Sequence, residues 1–254
     1  MVESLNEVLL DNGHVMLHAW NPKPVTTRDD QTEAHIIHQL VERAVDGIIL
    51  RPSSEEFERS YFDEIWQRGI PLILIDREMS MFRTDFVGSD DISIGEEAAR
   101  YLLELRHERL LFIGSDSRCS TSILRAQGFR NVVSETANAA CVQLSSKGAL
   151  HEMMARADRP TGIFCYADDL VPELEGSLRE LSLQVPRDIS VIGCGNLAKN
   201  ENLTSFDQQE TEIGRQAAKL YLERVKNRHE SYQQQIIRLP ASLIVRGTTA
   251  PITR

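Results

Sequence analysis

Short apolar runs alternate with helical patterns along almost the whole chain, and this alternation is what most constrains the fold. Runs rich in Val, Ile, Leu and Phe predict strands over residues 15–18, 47–50, 72–75, 86–87, 110–113, 141–144, 162–165, 189–193 and 243–245. Between them, apolar residues recur at helical spacing, as at Ile94, Ala98, Leu102 and Leu105. Such a strand–helix alternation predicts an α/β fold in which helices cover parallel sheets.

The start of the chain departs from this pattern. Residues 4–10 predict a helix that ends at Asn12-Gly13, and the first predicted strand comes only after it. Because a doubly wound sheet normally begins with a strand, we expect the first strand of the sheet to be missing from this sequence. Further along, Asp90 or Asp91 is expected to cap the helix at residue 93, and Thr211 the helix at residue 212.

The charge balance argues against direct DNA recognition. The chain has 38 Asp and Glu residues against 28 Lys and Arg residues, which gives a net charge of −10. A protein that neutralises phosphates needs a basic face. The densest basic cluster ends one predicted helix, where it complements the helix dipole; it consists of Arg224, Lys226, Arg228 and His229. No helix-turn-helix or zinc-finger spacing occurs, so we expect no DNA-binding domain in this chain.

Composition also indicates the compartment. No run approaches the roughly 20 apolar residues that span a bilayer, and the N-terminus lacks the basic and apolar regions of a secretory signal. The four cysteines are far apart and form no CxxC pair, which argues against a zinc cluster or a redox motif. We therefore expect a cytoplasmic protein with no membrane partner.

The most enzyme-like pattern runs from Gly193 to Ala198 and reads G-C-G-N-L-A, which fits the G-x-G-x-x-G/A of dinucleotide-binding folds. In those folds the glycines let the backbone approach a pyrophosphate at a helix N-terminus. Here the following residues, 199–202, are polar and turn-like instead of opening a helix. We interpret the pattern as a strand-to-loop turn and expect no cofactor, with a nucleotide-dependent enzyme as the alternative.

Other catalytic or metal-binding patterns are sparse. No G-x-S-x-G, HExxH or P-loop motif appears, so we expect no enzymatic activity. His14, His18, His35 and His38 lie near the N-terminus, and the last two are three residues apart on a predicted helix. Because a metal site would need further ligands at matching geometry, we expect no metal here.

Polar loops follow many of the predicted strands, over residues 20–21, 51–54, 76–78, 89–91, 115–122, 168–169 and 195–196. In open α/β sheets, ligands bind outside the carboxyl ends of the strands. The candidate binding residues in these loops are Asp76, Asp90, Ser122, Asp168 and Asn196. Their hydroxyl, carboxylate and amide groups suit a polyhydroxylated or purine-like ligand.

Several segments, taken in order, resemble the lactose-repressor (LacI/GalR) family of transcriptional regulators. They are VDGIIL at 45–50, GIPLILIDR at 69–77, VGSDD at 87–91, HERLLFIG at 107–114, RAQGF at 125–129, LQVPRDISVIG at 183–193, LTS at 203–205, GRQAA at 214–218 and LPASLIVRGTTAP at 239–251. Each piece is weak alone, but together they cover nearly the whole chain and are highly specific.

The resemblance implies a periplasmic-binding-protein-like type I fold of two Rossmann-like lobes. The N-terminal lobe would comprise residues 1–107 and 206–231, and the C-terminal lobe residues 108–205 and 232–254. A small sugar- or nucleoside-like effector would bind between the two lobes of one chain, and the protein would form a homodimer. Operator DNA would be bound only through a headpiece absent from this chain. Arg125 matches the family's effector-contacting arginine, and Asp90 matches the acidic residue after the V-x-D turn.

The sequence also departs from the family pattern. The headpiece is absent, and so is the first strand of the N-terminal lobe with its loop. The family's usual G-F/Y-D-D reads Gly-Cys-Gly-Asn at 193–196, so Gly195 stands where an aspartate commonly grips effector hydroxyls. Asn196 is expected to compensate, less strongly. The family's A-N-D reads Ala167-Asp168-Asp169.

The favoured interpretation is the effector-sensing and dimerisation core of a regulator of this type, with repression as the expected mode. A solute-binding protein of a transport system is a second hypothesis, which the absent signal peptide disfavours. A nucleotide-dependent enzyme that uses residues 193–198 is a third. A degraded fragment with an exposed sheet edge is the fourth.

Overall fold

The computed structural model describes residues 1–19, 30–53, 60–79, 83–114, 119–136, 140–144, 147–197, 201–228 and 231–252. The chain divides into two compact units. Unit 1 consists of Met1–Ser89, Ser117–Ser120 and Gln209–Leu239, and unit 2 of Asp90–Asp116, Thr121–Gln208 and Pro240–Arg254. None of the described helices is both long enough and apolar enough to cross a membrane.

Unit 1 contains a four-stranded parallel sheet in the order β1-β2-β3-β9. Its strands are β1 (Ile48–Leu50), β2 (Leu72–Ile75), β3 (Asp85–Ser89) and β9 (Ile236–Leu239). Its helices are α1 (Val2–Asp11), α2 (Asp30–Glu42), α3 (Ser60–Gln67) and α8 (Glu210–Lys226).

Alternating side chains of β2 are buried on opposite faces of this sheet. Leu72 and Leu74 pack with α2 and α3, in a cluster that includes Val41, Phe62 and Ile65. Ile73 and Ile75 pack on the other side with α1 and α8, in a cluster that includes Leu5, Leu9, Ile213 and Ala217. The uninterrupted apolar run of β2 is therefore explained, since an inner parallel strand is buried on both faces.

Unit 2 contains a six-stranded sheet in the order β10-β8-β7-β6-β4-β5, parallel except for the antiparallel β10. Its strands are β4 (Arg109–Ile113), β5 (Ala140–Leu144), β6 (Gly162–Cys165), β7 (Ser190–Cys194), β8 (Thr204–Asp207) and β10 (Ser242–Ile244). Its helices are α4 (Asp91–Glu104), α5 (Ser120–Ser134, whose first residue falls in unit 1), α6 (Lys147–Met154) and α7 (Val171–Glu180), with a 3-10 turn at Asp168–Leu170.

The two faces of this sheet again carry separate cores. Helices α4 and α5 cover a face rich in phenylalanine, where the rings of Phe112, Phe129 and Phe164 have centroids 5.5–6.0 Å apart. Helices α6 and α7 cover the other face, on which Leu111 and Ile163 are fully buried. The predicted α/β class with parallel, helix-covered sheets is confirmed.

Two glycines allow α4 and α5 to pack backbone against backbone. A Cβ atom on Gly95 would lie 2.0 Å from the carbonyl oxygen of Arg125, and one on Gly128 would lie 2.0 Å from that of Ile92. Neither helix can accept a side chain at these points without moving away from the other. The G in the R-A-Q-G-F segment is therefore a packing requirement, and it sets the position of Arg125.

Several element predictions need correction. Residues 14–19 form no strand, and Val15 and Leu17 are 81% and 54% exposed, because no described strand lies beside them to complete a ladder. The sequence pattern also missed β8 and β9; the run TSFD of β8 has one large apolar residue, whereas the run IIRL of β9 is apolar but only four residues long. Thr211 lies inside α8, which begins at Glu210 after Gln209, whereas the predicted cap Asp90 does cap α4.

The unit boundaries also differ from the predicted crossings near 107, 206 and 232. They fall after Ser89, Gln208 and Leu239, and the short stretch Ser117–Ser120 joins unit 1. Helix α4 belongs to unit 2 because its apolar face packs on α5 and the phenylalanine cluster. The third boundary comes later because β9 pairs with β3 in the sheet of unit 1.

His107 ties together the amino-terminal ends of two strands in unit 2. It is 2% exposed. Its Nδ1 lies 3.1 Å from Oγ1 of Thr161, and its Nε2 lies 2.9 Å from Oγ of Ser190 and 3.1 Å from the carbonyl oxygen of Ala250. Burial lowers the pKa of His107 below its usual value of 6.5, against the smaller opposing effect of the Ala250 carbonyl.

We expect this histidine to make folding stability depend on pH. Because the folded state disfavours the imidazolium, the unfolded chain takes up the proton first as the pH falls. The contribution of His107 to the free energy of unfolding is therefore full above pH 6.5 and decreases below it. His107→Gln should lower the free energy of unfolding by about 1–2 kcal/mol at pH 7.5. The variant should also lose less of this free energy between pH 7 and 5 than the wild type, as measured by urea denaturation. The exposed His151→Gln is the control; an unchanged pH slope in the His107 variant would contradict the prediction.

Candidate functional site

In unit 1, charged side chains collect where β1 and β2 end. Arg51 follows β1, and its Nε donates a 2.6 Å hydrogen bond to Oδ2 of Asp76, which follows β2. Asp76 is 7% exposed and has a positive φ of 64°, so the chain turns sharply at the strand end. This arrangement aims a carboxylate and a guanidinium at the same point of the carboxyl edge.

Arg77 is the next residue, and it retains an unused donor. Its Nη1 donates to the carbonyl oxygens of Pro52 and Ser53, both at 3.2 Å. Its Nε is buried and has no hydrogen-bond partner among the described residues. Oδ2 of Asp76 lies 4.0 Å from this Nε, so the two side chains form an ion pair in which one buried N–H makes no hydrogen bond to a described residue.

Glu33 on α2 completes this polar group. It is 7% exposed, and its Oε2 accepts hydrogen bonds from the backbone N–H of Ser53, at 3.2 Å, and from the Ser53 hydroxyl. Burial raises the pKa of the Glu33 carboxyl, although the two bonds from Ser53 and the nearby Arg77 oppose the shift. Glu33 thereby holds the loop after β1 against the sheet.

In unit 2, Arg125 is held in a buried ion pair. Its Nε donates to Oδ1 of Asp91 at 2.7 Å, and both side chains are almost fully buried. Its Nη1 donates to the carbonyl oxygen of Tyr166, one residue beyond β6. Ser122 lies one helical turn earlier on α5 and is also buried. The structure thus fixes the orientation of Arg125 at the carboxyl end of β6.

Asp90 has a local structural role. Its Oδ1 accepts the backbone N–H of Ser93 at 3.2 Å, and its Oδ2 accepts the Ser93 hydroxyl at 2.7 Å. These bonds satisfy a donor at the start of α4, where the helix has no internal acceptor. Asp90 is therefore a helix cap, and both of its carboxylate oxygens are already engaged.

Asp168 is turned inward and organises the loop after β7. It is 1% exposed; its Oδ1 accepts the Ser205 hydroxyl at 2.7 Å and its Oδ2 accepts the backbone N–H of Leu197 at 2.9 Å. A Cβ on Gly193 would lie 2.2 Å from Oδ1 of Asp168, and Gly195 has a φ of 130°. The glycines are thus required by this carboxylate and by the turn, which accounts for the G-x-G pattern.

The nucleotide interpretation of that pattern finds no support. After β7, residues 195–197 have no regular structure, and Ala198 with the two residues after it lies outside the described residues. A pyrophosphate site of this kind needs a helix that begins directly after the glycines. The favoured strand-to-loop turn agrees with the backbone seen here.

Asn196 also makes its contacts within the protein. Its Oδ1 accepts from Nη2 of Arg246 at 2.6 Å, and its Nδ2 donates to Oδ2 of Asp207 at 3.1 Å. Arg246 further donates to the carbonyl oxygen of Leu203 at 2.7 Å. The amide that we expected to compensate for Gly195 is therefore used to position Arg246, a residue that the sequence pattern did not single out.

The structure thus sorts the predicted site residues into two groups. Asp76 lies in unit 1 and Arg125 and Ser122 in unit 2, each at or near a carboxyl strand end. Asp90, Asp168 and Asn196 instead serve caps and loops. The sequence pattern did not single out Arg51, Arg77, Glu33 and Arg246, although the predicted loops 51–54 and 76–78 contain the first two. Of the predicted loops, residues 20–21, 54 and 115–118 lie outside the described residues.

The basic cluster at the end of α8 is engaged in unit 1. The Nε and Nη2 atoms of Arg224 donate to the two carboxylate oxygens of Asp85, at 2.7 and 3.0 Å. Arg228 pairs with Asp46 at 3.1 Å, and His229 lies outside the described residues. These arginines hold the end of α8 to the sheet, as structural cations commonly do.

A family model described as a periplasmic binding protein-like domain matches residues 99–249, more than half of the chain. The transcriptional regulator DegA of Bacillus subtilis is 30% identical over 240 residues, 89% of this chain and 71% of that protein. The arabinose metabolism transcriptional repressor of Halalkalibacterium halodurans is 28% identical over 89% of this chain and 66% of that protein. The chain thus spans about two thirds of the length of these curated relatives.

Solved structures show the same fold. A LacI family transcriptional regulator from Enterococcus faecalis, crystallised with bound ribose, superposes with a TM-score of 0.80 at 27% identity, over 99% of this chain and 94% of that one. A LacI-type regulator from Bacillus cereus gives a TM-score of 0.82 at 21% identity, over 99% and 92%. The expected periplasmic-binding-protein-like type of fold is confirmed.

The buried carboxylate of Asp168 provides a test of how the loop after β7 is held. Asp168→Ala should lower the free energy of unfolding by about 3 kcal/mol, because the Ser205 hydroxyl and the Leu197 N–H lose a charged acceptor while remaining buried. The neighbouring exposed Asp169→Ala is the matched control, with an expected change below about 0.5 kcal/mol. Equal effects of the two substitutions in urea denaturation would rule out the special role of Asp168.

Proposed function

The chain belongs to the LacI/GalR type of periplasmic-binding-protein-like regulators, and on that basis we propose that it is the effector-sensing and dimerisation core of a transcriptional repressor. The effector would be a small polyhydroxylated metabolite of the pentose class. The arabinose-named repressor and the ribose-bound regulator among its relatives support this class. Operator DNA would be bound by a headpiece outside this chain, in the cytoplasm.

The charged group of Arg51, Asp76 and Arg77 is the observation on which the binding proposal rests; the Nε of Arg77 has no hydrogen-bond partner among the described residues and lies 4.0 Å from Oδ2 of Asp76. Arg51 and Asp76 lie beside it in the same strand-end group, so the edge of unit 1 offers both donors and an acceptor. Sugar hydroxyls both donate and accept hydrogen bonds, so adjacent guanidinium and carboxylate groups can each bond to one of them. On unit 2, Arg125 is included on the family resemblance alone, since its described bonds, to Asp91 and to the carbonyl oxygen of Tyr166, lie within the protein.

Neither a catalytic nor a nucleotide-binding role is favoured. The carboxylates of Asp168 and Asp90 are occupied by structural hydrogen bonds, so they are poorly placed to transfer protons to a ligand. Burial raises the pKa of the Cys165 thiol at the end of β6, which suppresses the thiolate needed for nucleophilic attack. We therefore propose that the chain binds its ligand without transforming it.

Regulation would follow from a ligand-biased equilibrium between conformations. An effector can shift such an equilibrium only by its difference in affinity between the two states. Arg125 and Arg77 are therefore the residues whose removal should reduce that difference. The chain alone, without a headpiece, should not retard operator DNA in a mobility-shift assay.

A ligand screen tests the effector proposal. We expect a pentose or a closely related sugar to bind with a Kd on the order of micromolar to millimolar, measured by calorimetry and by thermal shift. Arg77→Met should weaken binding by about tenfold or more, since it removes the donor that the ligand would satisfy. Arg215→Met, an exposed arginine on α8 in the same unit, is the control and should leave the affinity unchanged.

Two results would count against this proposal. One is a folded chain that binds none of the pentoses, hexoses and nucleosides in the screen. The other is a confirmed ligand whose affinity is the same in the Arg77 and Arg215 variants, which would place binding away from the strand ends of unit 1.

Dimerisation is supported by apolar side chains exposed at the start of unit 1. Val2 and Leu10 on α1 are 46% and 53% exposed, and Val15 and Leu17 follow them in sequence with still greater or similar exposure. An exposed apolar group of this kind often marks a protein interface. We propose that α1, through its exposed Val2 and Leu10, contributes to the homodimer.

Analytical ultracentrifugation checks this point. The wild-type chain should dimerise at micromolar concentration, and Leu10→Glu should weaken the dimer about tenfold or more, because an unpaired carboxylate would be buried at the interface. Val245→Glu alters an apolar residue of unit 2 with 57% exposure and should leave dimerisation unchanged. A Leu10→Glu variant that dimerises like the wild type would exclude α1 from the interface.

A further inference from the structure

Three side chains on the surface of unit 1 come together with the composition of a metal site. His38 and Glu42 lie four residues apart on α2, and Glu64 lies on the neighbouring helix α3. One nitrogen or oxygen atom from each of the three lies within 4.8 Å of the other two. The N-terminal histidines need further ligands to form a metal site, and the fold brings two carboxylates to His38.

The spacing of the donor atoms is suitable for a small ion. Nδ1 of His38 lies 3.2 Å from Oε2 of Glu64. Zinc bonds of about 2.0–2.2 Å in tetrahedral geometry separate neighbouring ligand atoms by roughly 3.3–3.6 Å. An ion could therefore enter between these two atoms with little movement of either helix, and a rotation of the exposed Glu42 side chain would supply the third ligand.

Arg68 already organises the two carboxylates. Its Nη2 donates to Oε1 of Glu42 at 3.0 Å and to Oε1 of Glu64 at 2.9 Å. It therefore binds one oxygen of Glu64 while the other oxygen of that carboxylate faces His38. Outer-shell partners that hold carboxylate ligands in this manner are common around bound metals. The positive charge of Arg68 also opposes a cation, so a moderate affinity is expected.

We propose that His38, Glu42 and Glu64 bind a divalent transition-metal ion, best matched by zinc, which links α2 to α3. The imidazole ligand favours zinc or cobalt over magnesium and calcium, which prefer oxygen ligands. Water would complete the coordination. His35 is outside the group, because its Nε2 lies 3.0 Å from Nε2 of Gln39 and it turns to that partner instead. The site is separate from the strand-end residues proposed to bind the effector.

Titration of the whole chain with zinc chloride, followed by calorimetry, tests the proposal. We expect one zinc ion per chain with a Kd on the order of micromolar. His38→Gln and Glu64→Gln should each weaken binding by about tenfold or more, since even outer-shell changes around a metal cost that much. Cobalt should give the visible absorption of a low-symmetry site in the wild type and lose it in His38→Gln.

Two matched controls separate the site from general surface binding. Glu96 forms an ion pair with Arg100, four residues later, at 2.8 Å, and this pair resembles that of Glu64 with Arg68. Glu96→Gln disrupts the first pair and leaves the proposed metal ligands intact. His151→Gln removes another exposed histidine. Both should bind zinc like the wild type. Because the substituted residues are exposed or half-buried, the variants should fold, as circular dichroism would verify. Zinc uptake that is the same in His38→Gln and the wild type, or absent from both, would overturn the proposal.

Discussion

Burying both faces of each parallel sheet leaves the strand ends as the main place where polar side chains can meet a ligand. In β2, Leu72 and Leu74 fill one core and Ile73 and Ile75 the other. The first residue free of both cores is Asp76, and the chain turns there with a positive φ. The position of the candidate site in unit 1 is thus a direct consequence of how its sheet is buried.

Hydrogen-bond satisfaction then decides which of these strand-end groups remain available. The carboxylate of Asp168 accepts two internal bonds, and the amide of Asn196 is used by Arg246 and Asp207. By contrast, the Nε of Arg77 has no hydrogen-bond partner among the described residues and only a long ion-pair contact, of 4.0 Å, with Asp76. Polar residues that look equivalent in the sequence therefore divide into those that support the loops and those that remain candidates for the proposed effector site. Gly195 stands where the family resemblance implies an aspartate that binds effector hydroxyls, and the proposed recognition therefore uses arginine donors.

Particular elements show why the sequence predicted some features and missed others. The inner strands β2, β4, β6 and β7 were predictable because short runs rich in apolar residues, between turn-like segments, favour a buried strand. Strand β8 was missed because it depends on ladders with β7 and β10 more than on its own residues, of which only Phe206 is large and apolar. The prediction for residues 15–18 was wrong in the opposite way, because their sequence is strand-like but they pair with none of the described strands.

The sequence by itself determined the α/β class, the parallel sheets and the family resemblance, because these depend on the order and periodicity of apolar residues. It also predicted Arg125 and Asp76 as site residues, and they stay predictions. Only the tertiary structure decided that Asp168 and Asn196 bond to other parts of the protein, that the Nε of Arg77 has no hydrogen-bond partner among the described residues, and that Glu64 meets His38. These properties depend on contacts between residues distant in the chain, and the strength of such contacts depends on burial and distance, which no local pattern contains.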